Sequence, residues 1–533
     1  MRPVFHRRGL LVLQFAAFLV LTLAATGCGS SSSSSTALKA GGTVRIGMSG
    51  DWTTLDPTSG KVNGFTYPLA EATYDRLVAT GPDGKVLPYL AQSWVQTLTS
   101  ITFTLRTDAT CFDGTKVTPT VIANSLKAMF ASGSSDIGRF LGAGPFTVTS
   151  DDSAATLTVS SGTPFPDALV SFAHPFTSII CPAGLDPAKR VESTFGSGPF
   201  TIQSAVHGDS IVFKVRKEWK WGPNGASASS PGFPDTVVFQ VFQNQTTAAN
   251  ELLTGGLDLA PITGPDVPRL IADTSLTHKT APSDTADPML FYSATGHPTS
   301  DPAVREALAT AIDRSSWNKV TFAGFGTVAS SIIAPQVACY DAATAPLVPT
   351  PSVDKAKQIL QADGYSAGSD GMLQKNGNPL VIHLIANPAL AAGDEYLQAQ
   401  FQAVGITVPT PAADTGTYFK ALLAGNFDIA IVALTSSGGL GAIFLGAEGP
   451  PVGPPPADLG GITDSSLESE IHAVATSVGT ERCQHFANVQ EQFLKQHYLL
   501  PLVYETFQWF SKNVAFVPTA FDEPDVTQIR RTA

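Results

Sequence analysis

The chain has 533 residues, 43% hydrophobic and 14% charged, with a formal net charge of −12. That balance argues against nucleic acid as a partner, because phosphate binding needs clustered Lys and Arg. The length is ample for a large core and at least two lobes, while net charge identifies no ligand.

The N-terminus reads as an export signal. Arg2, Arg7 and Arg8 form a basic stretch, and the apolar run Leu10 to Leu23 is short and terminal. Ala25-Thr26-Gly27-Cys28 looks like a bacterial lipobox that lipidates Cys28, although Leu is more usual at the Ala25 position. The alternative is an ordinary signal peptide with an incidental cysteine. Residues 1–27 are then signal, and residues 28–40, with the run Ser30 to Ser35, a flexible tether. The most apolar later segment, Phe427 to Leu445, carries Asp428, Thr435, Ser436 and Ser437, so it reads as a strand and a loop rather than a membrane span.

Cys111, Cys181, Cys339 and Cys483 remain, an even number that predicts two disulfides in an exported chain. Three pairings are open. Cys111–Cys181 with Cys339–Cys483 is preferred, because each bond then stays within one half of the chain. No C-x-x-C is present and no zinc motif fits.

In chain order, a strand near Gly41 leads through an Asp56-Pro57 turn to an amphipathic helix, then a Pro82-Asp83-Gly84 turn. Ile101, Phe103 and Leu105 alternate with Thr102, Thr104 and Arg106, the pattern of a half-buried strand. Thr118-Pro119 opens a helix with Val121, Ile122, Leu126, Met129 and Phe130 on its apolar face. Phe200 to Ile202 and Ile211 to Val215 flank a hairpin turn, and Val237 to Phe242 is another strand. Asp301-Pro302 and Ser352 open further helices. Gly405 and Gly425 stop two more, Tyr396 to Val404 and Tyr418 to Ala424. Phe427 to Leu434 is nearly all apolar and reads as a central parallel strand. Phe486, Val489, Phe493 and His497 mark a late helix. The class is α/β.

Several segments carry a resemblance. They are GGTVRIGMSGDWTTLDPTSG from Gly41, Gly196-Ser197-Gly198-Pro199-Phe200 and Lys217 to Gly222. Asn250 to Asp258, Val304 to Arg314, Asp363-Gly364-Tyr365, Leu422 to Asp428 and Leu500-Pro501-Leu502 follow in order. Together they resemble family 5 extracellular solute-binding proteins, the oligopeptide, dipeptide and nickel binders. The resemblance implies a two-lobed periplasmic-binding-protein-like fold (cluster C, class II type) with an extra subdomain. Lobe I takes residues 41–62, 178–281 and 498–533, the subdomain 63–177, and lobe II 282–497. It also implies a monomeric lipoprotein, outside the cell membrane or in the periplasm. Such a protein hands a small solute to the permease subunits of an ABC importer, without a cofactor and without nucleic acid. Ligand would lie between the lobes, and closure would be a hinge motion.

No catalytic constellation stands out. The histidines are scattered, without H-E-x-x-H. Ser352-Val353-Asp354-Lys355 and Ser316-Trp317-Asn318-Lys319 fit S-x-x-K, but no Lys-Thr-Gly accompanies them, and Ser352 has a role as a helix cap. Gly438-Gly439-Leu440-Gly441 lacks the Lys-Ser/Thr ending of a P-loop. No enzyme, metal or cofactor is expected.

Candidate ligand contacts, by resemblance and position, are Trp52, Asn63, Phe65, Tyr67, Tyr292, Ser293, Phe325, Thr435, Ser436 and Ser437. Each aromatic could equally be core, and each hydroxyl a turn residue. Peptide-binding relatives carry an acid shortly after the central strand to pair with a free amine. Here no acid precedes Glu448, which points to a peptide held by its backbone, a neutral saccharide or another uncharged solute. Two rival readings are a surface receptor or adhesin with a degenerate cleft, and a surface hydrolase.

Overall fold

Local signals set the helix ends in the computed structural model, which describes residues 37–59, 66–142, 144–409, 414–435, 459–518 and 524–533. Helix α1 is Thr66–Thr73. Thr118 caps α2 (Pro119–Phe130), its side chain accepting from the Val121 N–H. Asp301 caps α3 (Pro302–Ala311) and Ser352 caps α5 (Val353–Ala362) in the same way. These side chains satisfy backbone donors that have no partner inside the helix. Arg314–Phe322 forms α4, between α3 and α5. Helices α6 (Ala391–Val404) and α7 (Thr415–Ala424) stop at left-handed Gly405 and Gly425, with φ of 99° and 66°. The last helix, α8, is Gly479–Lys495.

One large sheet organises these helices. Strands β1 (Thr43–Met48), β4 (Thr236–Val241) and β5 (Leu259–Pro261) lie parallel. The hairpin β2 (Phe200–Val206) and β3 (Ser210–Val215) extends it on one side. On the other side come two long strands, β6 (Thr277–Phe291) and β9 (Leu499–Ser511), antiparallel to each other, and then β7 (Ile429–Ile431). The order is β7-β6-β9-β5-β1-β4-β3-β2, with β8 (Leu434–Thr435) paired to β6. A separate four-stranded sheet lies within residues 91–161.

The apolar side chains divide into two principal cores. One gathers Val44, Phe103, Leu126, Phe213 and Trp219, with Ala281 and Trp509 from the long strands. The other gathers Met289, Leu308, Phe401, Ile429, Phe486 and Val503. β6 therefore leaves the first core after Ala281 and enters the second by Met289. β9 crosses the other way between Val503 and Trp509. The subdomain sheet shares the first core rather than having its own.

Cys111 is joined to Cys181 and Cys339 to Cys483, with Cα separations of 6.0 Å and 4.8 Å. Phe427 to Val432 and Leu434 are buried, but not as a central parallel strand. β7 pairs antiparallel with β6, and its parallel contact is a single bridge from Ile429 to Leu384. The apolar composition reports burial on both faces, and burial alone does not fix strand direction. No helix among the described residues is long and apolar enough to cross a membrane. Cys28 lies outside the described residues.

Candidate functional site

The crossing of β6 is built by its own sequence. Pro282 and Pro288 bracket Ser283-Asp284-Thr285-Ala286-Asp287, and proline cannot donate to a strand ladder. The β6–β9 register shifts between Pro282 and Ala286 and again between Asp287 and Pro288. The Ser283 hydroxyl accepts from the Thr285 N–H at 3.1 Å, holding the bulge. The Gln336 amide donates to the Ser283 carbonyl from the second core's side of the chain.

Carboxyl groups collect here. Asp287 is 1% exposed, and among the described residues neither of its oxygens accepts from an N–H or O–H donor. Its neighbour is Glu505 on β9, and the two carboxyl groups share a hydrogen bond when one of them is protonated. Burial, and then the Glu505 charge, push Asp287 well above the usual carboxylate range; burial raises Glu505 as well. Asp394, in the first turn of α6, accepts from the Asn387 N–H at 2.7 Å through one oxygen and leaves the other unpartnered. Burial raises it to about 7. Tyr418 on α7 feels both Asp394 and Asp287, and its hydroxyl donates to the Ile431 carbonyl at 2.6 Å. Ile431 ends β7, so Tyr418 ties this cluster to the end of the strand that pairs with β6.

The expected contacts are dispersed. Phe325 does reach the crossing: it packs against the small core containing Ala260 and Phe510, and its carbonyl accepts from the Thr506 hydroxyl at 2.5 Å. The Thr435 backbone pairs with Thr285 beside the bulge. Trp52 is buried in the first core, its ring stacked on His207 at 4.5 Å. Tyr67 stands edge-on to His174. Tyr292 and Ser293 follow the far end of β6, away from the crossing. There the Tyr292 ring packs on Phe427 and His297, and the Ser293 N–H bonds the Gly460 carbonyl. Asn63, Phe65, Ser436 and Ser437 lie outside the described residues. Asp284, Asp287, Glu505, Asp394 and Tyr418 were not among the expected contacts. The available signal was two acids in a proline-bracketed stretch of an otherwise apolar strand.

A cavity of about 20 Å³ lies among Glu71, Arg76, Tyr89 and Asp525, room for roughly one water. It belongs to the first core's polar network and is too small for a solute. Among the described residues, no group of three or more His, Cys, Asp or Glu is placed to hold a metal ion.

The family model described as bacterial extracellular solute-binding proteins, family 5 Middle, matches residues 85–446. The chain belongs to this family. The glutathione-binding protein GsiB of Escherichia coli strain K12 is 26% identical to it over 418 residues, covering 77% of this chain and 74% of GsiB. Two solved structures share the fold of this family 5 protein. One is a substrate-binding protein from Microbacterium hydrocarbonoxydans in complex with 4-hydroxybenzoate hydrazide, with a TM-score of 0.69 and 24% identity. That match covers 92% of this chain and all of the other. The second is NikA from Brucella suis in complex with Fe(III)-EDTA, with a TM-score of 0.75 and 19% identity over the same shares. The fold is the two-lobed α/β architecture of these binding proteins.

Proposed function

We propose that this protein captures a small solute between its two lobes, outside the cytoplasm, and delivers it unaltered to the permease of an ABC importer. The observation that carries the reading is the pair of long strands β6 and β9. They pass from one hydrophobic core to the other and break register where they cross. Two crossing strands with a local irregularity supply a hinge, because a few residues can absorb the change in φ and ψ while both cores stay packed. Membership of family 5 supports transport, and the name of GsiB supports a peptide-like solute. The N-terminal segment supports export and a lipid anchor on Cys28. We place the crossing on β6 between Ala281 and Met289. On β9 we place the crossing several residues beyond 498, since Leu499 to Val503 belong to the second core.

The test is native mass spectrometry of the purified protein for a co-purified solute, followed by thermal shift with that compound. A solute that binds the native state and not the unfolded chain raises the melting temperature. If no solute co-purifies, and no peptide, sugar or metal shifts the transition, this reading is lost. Metabolic labelling with palmitate, absent in Cys28→Ala, tests the anchor.

A further inference from the structure

Several other buried acids have a cationic or hydrogen-bonding partner. Asp56 pairs with Arg190 at 2.8 Å, and Glu71 with Arg76 at 2.5 Å. Asp75 accepts from the Tyr89 hydroxyl at 2.5 Å and the Trp221 indole at 2.7 Å. Asp428 lies between His297 and His383. At the crossing this pattern fails. Among the described residues, Asp287 has the Glu505 carboxyl beside it, and no cation is among the groups acting on either residue. Asp394 keeps one oxygen unpartnered although it is 2% exposed. Arg314, close to Tyr504 on β9, instead donates to the carbonyls of Ala329 and Pro501.

A buried carboxylate pair without a counter-charge is costly, and a fixed fold would be better served by apolar side chains of similar size. The cost has a purpose if the counter-charge arrives with a ligand. We propose that Asp287 and Glu505 receive a positively charged organic group of the captured solute, an ammonium or guanidinium; this deepens the solute-capture reading and rests on it. Two carboxylates accept several N–H donors at once, which suits either group. A metal ion fits poorly, because no third ligand joins the pair among the described residues.

The experiment compares matched probes by thermal shift and calorimetry on the full-length protein. The probes are Ala-Phe with N-acetyl-Ala-Phe, and tyramine with N-acetyltyramine; maltose, nickel(II) chloride and any co-purified solute complete the set. The expected result is binding by a compound with a free amine or guanidine, and none by its acylated form. Asp287→Asn and Glu505→Gln should each weaken that binding at least tenfold. Both variants should stay folded, with apo melting temperatures equal to or above wild type, because a buried charge has been removed. Glu505→Gln, at the less buried position, serves if Asp287→Asn fails to fold. Binding should also weaken as pH falls and the pair takes up protons.

Equal binding of acylated forms, preference for maltose or nickel, or undiminished affinity in both variants would overturn the cation proposal while leaving solute capture intact. A protein that binds no probe and carries no co-purified solute would overturn both.

Discussion

Arg482 and Asp167 face each other as a two-pronged ion pair across the molecule, with Arg482 Nη2 2.7 Å from Asp167 Oδ2. Asp167 belongs to the chain around the first core, and Arg482 lies on α8 of the second. The same guanidinium also donates to the Val474 carbonyl at 3.1 Å, which fixes its orientation. Both side chains are largely sheltered, so the pair is less screened than a surface contact.

The pair should therefore act as a clasp on the closed form. Arg482→Gln or Asp167→Asn is expected to weaken solute affinity by on the order of tenfold, about 1.4 kcal/mol. Small-angle scattering should show a larger radius in both variants. A double-mutant cycle should show strong coupling, and additive effects would count against the clasp.

Gly84 offers a steric test of the same closure. It sits in a turn with φ +74°, and an added Cβ would lie 2.1 Å from the Gln336 carbonyl oxygen. Gly84→Ala is expected to hold the two sides apart and to lower solute affinity several-fold. Left-handed backbone strain adds about 1 kcal/mol of destabilisation. Calorimetry and unfolding curves separate the two effects.

Asp394 predicts a pH dependence. Burial lifts its folded value to about 7 from 3.8. Below pH 3.8 the group is protonated whether the chain is folded or not. Between pH 3.8 and 7 the unfolded chain loses the proton first, so stability falls as pH rises and levels off above 7. The loss should be on the order of 2–4 kcal/mol across that window. Asp394→Asn should flatten this part of the curve and be the more stable protein at pH 8, as read from urea unfolding of apo protein.

The Cys339–Cys483 bond closes a loop with a sequence separation of 144. Replacing both cysteines by serine should cost roughly 2–4 kcal/mol, seen as a lower urea midpoint with solute affinity little changed.

What could be read from the sequence was mostly local. Thr118, Asp301 and Ser352 announce helix starts because a cap needs only a side chain and the next few backbone N–H groups. Gly405 and Gly425 announce stops because they supply left-handed backbone. The order of family motifs carried the architecture. The candidate site was less legible, because it depends on pairing across the chain. Tyr292 and Ser293 follow the end of β6 beyond the crossing, and nothing local says where along β6 the crossing falls. Asp287 and Glu505 look like ordinary strand acids until β9 brings them together. For the same reason the short β7 kept its burial but not its expected partner direction.

The two disulfides have a mechanical consequence. Cys111 and Cys181 are buried in the first core, and Cys339 packs against the second, bonded to Cys483 on α8. Each covalent staple falls on one side of the crossing. Oxidation therefore toughens the jaws without welding them to each other, and a reducing environment would make the protein more fragile before it made its grip weaker.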